Sequence, residues 1–146
     1  MSVPKNKRYE SPIEYIQNAQ NLLEYTIKKC SKFPKSYTFY LSIPIADLAR
    51  EGLRLVIKAN DNNCKNKYEL QIRVSDLMAA YSEIHNMVPL IKLAKDIFDL
   101  KDTVMIGWMS LIDKELKLIN GSLKSCRQKY SSLPDGPSIA IQSIND

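Results

Sequence analysis

The sequence predicts an all-α protein, an antiparallel up-down-up-down four-helix bundle, on three observations. Apolar residues recur at helical spacing through four long segments. Only 4 of the 146 residues are glycine, against an average of about 7%, which disfavours a turn-rich sandwich or a Rossmann-type domain. The segments are joined by short, breaker-rich stretches, and short connections between long helices favour antiparallel neighbours. A chain of 146 residues suits one domain that buries about 70% of its unfolded surface, so neither disulfide nor metal is needed to hold a core. The organisation expected is a basic N-terminal arm over 1–10, the bundle over 11–130, and a flexible or partner-docking tail over 131–146.

The first helix is expected to start at Ser11-Pro12-Ile13-Glu14, with Ser11 as cap, Pro12 in the first helical position and Glu14 completing a capping box. Tyr15, Ala19, Leu22, Leu23, Thr26, Cys30 and Phe33 then share one side, and Pro34 stops the segment. A second helix ends near Ala59, before Asn60-Asp61-Asn62-Asn63. Its start has two readings: Ser42 caps it with Pro44 in its first turn, or Ser36 caps it and Pro44 makes a kink. Ile45, Leu48, Ala49, Gly52, Leu55, Val56 and Ala59 face one way, Asp47, Arg50, Glu51, Arg54 and Lys58 the other.

The third helix is expected from Lys67 to Phe98, capped by Asn66 and bent at Pro89. Its stripe, Leu70, Val74, Leu77, Tyr81, Ile84, Val88, Ile91, Ala94 and Phe98, drifts as a 3.5-residue repeat does, which implies bundle packing. Leu90, Leu93 and Ile97 form a second apolar side near its end. A helix with two apolar sides needs two partners, and these residues are the expected subunit interface. The fourth helix begins after Asp102, as cap, and runs to about Tyr130. Met105, Trp108, Met109, Ile112, Leu116, Ile119 and Leu123 make its apolar face, widened by Leu111 and Leu118; Ser110, Lys114, Lys117, Gly121, Lys124, Ser125 and Gln128 lie opposite.

The net charge of +5 is unevenly placed. Residues 1–35 and residues 114–130 each carry +4, whereas 36–113 carry −1 and the tail −2. Two basic ends around a neutral centre are a stronger electrostatic signal than the total. Cys30, Cys64 and Cys126 lack CxxC spacing or a Cys/His cluster, so no zinc site is expected, and idle thiols suit a reducing compartment. No stretch reaches the roughly 18 apolar residues of a membrane span and the first residues lead into no signal-peptide core, so the expected location is cytoplasmic, with no membrane partner.

Reactive groups do not converge. Glu83 and His85 are only two positions apart, so they cannot form the Glu-x-x-His pair of a diiron bundle. Arg73 is twelve positions before His85, too far for the Arg–His pairing of helical ribonucleases. No P-loop, GxGxxG or nucleophile elbow is present. His85, beside Tyr81 and Val88, is expected to be a partly buried, hydrogen-bonded histidine. The expected protein is no enzyme, with no catalytic residues, no cofactor and no metal.

Phe33-Pro34-Lys35-Ser36-Tyr37-Thr38-Phe39 before the second helix, Ala59-Asn60 closing it, Leu90-Ile91-Lys92-Leu93-Ala94-Lys95-Asp96 late in the third and Asn120-Gly121-Ser122-Leu123-Lys124-Ser125 late in the fourth occur in a recognisable order. Over residues 13–127 this pattern resembles the four-helix-bundle family of diversity-generating retroelement accessory variability proteins and ribosomal RNA intervening-sequence proteins. The arm and tail are additions to it, and the Trp expected around Asn120–Ser125 is absent. The resemblance implies a homo-oligomer, a pentamer in that family, with a basic surface. It also implies RNA or DNA as a partner, and association with the element's reverse transcriptase without catalysis by the accessory protein itself.

Candidate nucleic-acid contacts are Lys114, Lys117, Lys124 and Arg127 on the fourth helix, Lys28, Lys29, Lys32 and Lys35 around the end of the first, and Arg50, Arg54 and Lys58 on the second. The basic residues are not interleaved with aromatics, so phosphate contact with little sequence specificity is expected. The alternative is an oligomeric helical scaffold whose lysines only keep it soluble.

Overall fold

The computed structural model describes residues 3–136, with side chains from Glu14 onward. Most of the expected tail, residues 137–146, lies outside the described residues. The described chain is all-helical, without a strand: α1 (Val3–Cys30), α2 (Ile43–Asp61), α3 (Lys67–His85), α4 (Met87–Phe98) and α5 (Asp102–Tyr130). A 3-10 turn over Lys35–Tyr37 and a π-helical stretch over Thr38–Ser42 lead into α2. No described helix is long and apolar enough to cross a membrane.

The longest elements pack in a closed cycle, α1 against α2 and α5, and α3 against α2 and α5. Hydrogen bonds fix the level of each pair. Along α1 and α5, Asn18 Nδ2 donates to the Leu111 carbonyl (3.1 Å) and Tyr25 Oη to the Val104 carbonyl (2.8 Å). Between α2 and α3, Lys58 meets Asp76 (3.4 Å) and Asn62 Nδ2 donates to the Glu69 carbonyl (2.7 Å). Between α3 and α5, Gln71 Nε2 donates to Tyr130 Oη at 3.2 Å. The apolar stripes read from the sequence line the interior, with Leu22, Ile45, Leu77, Ile84, Trp108, Ile112 and Ile119 among the fully buried side chains. Trp108 donates its indole N–H to Thr26 Oγ1 at 3.0 Å, so its one polar atom is satisfied in the core. Gly52 is needed where α2 meets α3, because a Cβ there would sit 2.6 Å from Ile84 Cγ1.

Three helix boundaries differ from expectation, two of them at prolines, and a fourth differs only in its cap. α1 begins at Val3, so Ser11 is not its cap and Pro12 lies inside it, where the lost N–H removes one intrahelical bond without ending the helix. α2 starts where the first of its two readings put it, after Ser42 and with Pro44 in its first turn, but Ser42 makes no capping bond: it is itself helical and donates to the Cys30 carbonyl at 3.3 Å, while Ser36 lies within the 3-10 turn. The wider π turn immediately precedes the region where Pro44 offers Tyr40 no N–H. The expected third helix is two. Pro89 leaves the His85 carbonyl without its donor, and the chain breaks at Asn86, giving α3 and α4 instead of one bent rod. Asp102 is the first residue of α5 and not its cap; its carboxylate accepts from Lys95 Nζ at 3.1 Å. Asn66 does cap α3, its Oδ1 accepting the Glu69 N–H at 2.9 Å.

Candidate nucleic-acid interface

The expected contact residues separate by location and by pairing. On α5 the apolar stripe faces inward, which leaves Lys114, Lys117, Lys124 and Arg127 on the outer side, all exposed. Lys114 reaches Glu14 of α1 at 3.8 Å, whereas Lys117, Lys124 and Arg127 have no carboxylate within 4 Å among the described residues. Lys114 and Lys117 border an open groove of about 800 Å³ with Ser110, Asp113 and the exposed Ile106.

Lys28, Lys29, Lys32 and Lys35 cluster where α1 ends, at the level of the start of α5. Lys28 pairs with Glu24 at 2.9 Å, and Lys29 lies over the Tyr25 ring, 5.1 Å from its centroid. Lys29 and Lys32 line a cleft of about 510 Å³ whose apolar wall includes Phe33 and Phe98. Lys101, absent from the expected set, lines the same cleft, brought there by the short turn between α4 and α5. Lys35 instead shares a groove of about 400 Å³ with Arg50 of α2.

On α2 the cations face their own acids. Arg50 pairs with Asp47 at 3.0 Å, Arg54 makes a bidentate bond to Glu51, and Lys58 meets Asp76 at 3.4 Å. The hydrogen bond from Arg54 holds the Glu51 carboxyl below the usual range, so the pair stays neutralised. The α2 set is therefore the least available for phosphate.

His85 is not the partly buried residue expected. It is exposed, its ring stacked on Tyr81 at 6.1 Å, because Ile84 takes the inward position at this turn. No group of three His, Cys, Asp or Glu side chains among the described residues could hold a metal ion. Burial pushes the Cys30 thiol up to about 12 and raises that of Cys126.

Leu93 and Ile97 are 46% and 44% exposed, and Leu90 is partly covered by the core. Beside α4 the π-helical stretch exposes Phe39 and Tyr40 at 80% and 77%. These two aromatics extend the apolar face and were not read from the sequence.

One buried polar group was also missed. Glu115 of α5 is fully buried and accepts from Asn18 Nδ2 at 3.1 Å, while its Oε2 has no partner. Burial raises its pKa to about 8, against smaller lowering by Asn18 and Lys114. The signal was visible: Glu115 falls between Ile112 and Ile119 on the inward stripe.

No protein-family model, no characterised protein and no solved structure matches the chain. The family resemblance therefore rests on its motifs alone.

Proposed function

We propose that this chain is a non-catalytic, oligomeric nucleic-acid-binding protein built as an antiparallel up-down-up-down four-helix bundle. Its proposed role is that of a cytoplasmic accessory to the reverse transcriptase of a diversity-generating retroelement. The order of helix pairing supports the topology: Asn18 meets Leu111 while Tyr25 meets Val104, and Lys58 meets Asp76 while Asn62 meets Glu69. The observation that carries the binding role is the outer face of α5. Lys114 and Lys124 are ten residues apart, about 15 Å along a helix, a span that runs beside about four phosphates of one duplex strand. Lys117 and Lys124 have no carboxylate within ion-pair distance among the described residues, so phosphate binding displaces no internal partner. Five copies in a pentamer would multiply that charge into a field that a +5 monomer lacks. The polymerase partnership follows from the resemblance, and copurification with a retroelement reverse transcriptase tests it.

The binding role is tested by titrating RNA, DNA and hybrid duplexes at two salt concentrations. Native affinity should fall steeply with salt. Replacing Lys114, Lys117 and Lys124 with Glu should abolish most binding and make the duplex-DNA salt slope shallower by about 3. Reversal at Lys114 also removes the pair to Glu14, so the Lys117→Glu/Lys124→Glu double variant, with helicity checked by circular dichroism, serves beside it. Undiminished binding by both variants would exclude the α5 face. The scaffold alternative is favoured by one observation, the exposed Phe39, Tyr40, Leu93 and Ile97. It predicts the same oligomer with no nucleic-acid affinity at low salt.

A further inference from the structure

A second cationic site lies at the other end of α5, away from the cleft of Lys29 and Lys32. Here a cavity of about 220 Å³ opens between the start of α3, the end of α5 and the segment that follows it. Arg73 and Lys129 line it together with Ser122, Ser125 and Ser132, and no acidic side chain lines it. Arg73 Nη1 reaches the Cys64 sulfur, a weak acceptor, at 3.5 Å; its Nε is buried without a hydrogen-bond partner of good geometry, and the buried Tyr15 hydroxyl is its other polar neighbour. No carboxylate pairs with Arg73 within 4 Å among the described residues.

A buried guanidinium N–H without an acceptor is costly. Buried charges are ordinarily paired, and a buried charged donor left without a partner destabilises more than a neutral one. Here a partly buried guanidinium faces a second cation instead. The surrounding wall is nevertheless held in place by specific bonds. Asn62 Oδ1 accepts the Cys64 N–H at 2.9 Å and so fixes that loop beside Arg73. Over the other side, the Lys67 N–H donates to the Pro134 carbonyl at 2.7 Å and Lys67 Nζ reaches Asp135 at 3.4 Å, which holds Ser132 and Leu133 across the cavity.

We propose that this cavity binds one phosphate group, as a monoester or as the free ion. Two cationic side chains and the hydroxyls of Ser122 and Ser125 supply more donors than the two oxygens of a carboxylate can use, and they suit a tetrahedral oxyanion; Ser132 is already committed, donating to the Lys129 carbonyl at 2.7 Å. The volume of about 220 Å³ is below the roughly 300–1,000 Å³ of sites that enclose a whole small molecule. The cavity therefore takes the phosphate and leaves the remainder of a larger ligand outside. The site is separate from the lysines on the outer face of α5.

Isothermal titration of inorganic phosphate into the full chain, with ionic strength held by sodium chloride, tests it. Native protein should bind one phosphate per chain. Arg73→Gln should lose binding and Lys129→Gln should weaken it about tenfold, the equivalent of one charge-assisted contact. Lys117→Glu/Lys124→Glu should leave it unchanged, which separates this site from the nucleic-acid face. If Arg73→Gln does not fold, Lys129→Gln carries the test, since its side chain is exposed. Absence of binding by native protein, or unchanged affinity in Lys129→Gln, overturns the assignment. A 5′-phosphorylated oligonucleotide that outbinds its 5′-hydroxyl counterpart, with the difference erased by Lys129→Gln, assigns a strand terminus as the source. Equal affinities of the two strands, with inorganic phosphate still bound, assign the free ion.

Discussion

Replacing Glu115 with Gln should remove a pH dependence of stability that the native chain carries. The carboxyl is fully buried between α1 and α5, with one hydrogen bond from Asn18 and one unpartnered oxygen. Its pKa is about 8 in the fold against an ordinary value of 4.5. Between those values the folded state holds a proton that the unfolded state has released, so stability falls as pH rises. The contribution is fully present below about pH 4.5 and is lost as pH climbs through about 8. Integrating the two titrations, native stability should drop by about 2.5 kcal/mol between about pH 5 and pH 7 through this residue alone. That is a large share of the roughly 5–15 kcal/mol that holds a typical domain. The amide of Glu115→Gln has no proton to lose, so the difference between native and variant should move in the variant's favour by that amount. Urea unfolding followed by Trp108 fluorescence at about pH 5, 6 and 7 reads the change. Parallel pH profiles for the two proteins would refute the reasoning, because they would mean that Glu115 titrates in the fold as it does in the unfolded chain.

Two other outcomes are expected. Thr26→Val keeps the shape of the core but leaves the Trp108 indole N–H without its acceptor, and should destabilise by about 1–3 kcal/mol in the same urea assay with a shifted Trp108 emission. Leu93→Glu places a charge on the exposed apolar side of α4; if that side is the proposed subunit interface, sedimentation should show a smaller particle with unchanged helicity, and an unchanged mass would remove Leu93 from the proposal.

Much of the fold was legible because helices write their buried side into the sequence at a fixed period. The stripes through Tyr15–Phe33, Ile45–Ala59, Leu70–Phe98 and Met105–Leu123 needed only spacing to be found, and the structure buries their central members. The Asn66 cap was equally local, a side chain bonding an amide three residues away. Pro44 sits in the first turn of α2, as one of its two readings had it, whereas Pro12 and Pro89 were located but misjudged in kind. Whether Pro12 starts a helix, Pro44 kinks one or Pro89 breaks one depends on what the rest of the molecule offers the freed carbonyl, which spacing does not contain.

The candidate site was legible only in part. Exposure of Lys114, Lys117 and Lys124 follows from their position opposite an apolar stripe. The short-range pairing that neutralises Arg50 and Arg54 was also within reach, since their acids lie three residues upstream. Lys101 beside Lys29 and Lys32 was beyond it, because their meeting depends on the turn that joins α4 to α5.

The sequence by itself determined the helical class, the inward faces and the basic ends of this protein, all of which are properties of a periodic chain in water. Tertiary structure alone decided which distant polar groups meet. Asn18 lies 97 residues from Glu115, and Arg73 joins Lys129 only when α3 and α5 lie side by side. A pairing between distant residues carries no period, and its electrostatics depend on burial, which exists only once the helices have packed.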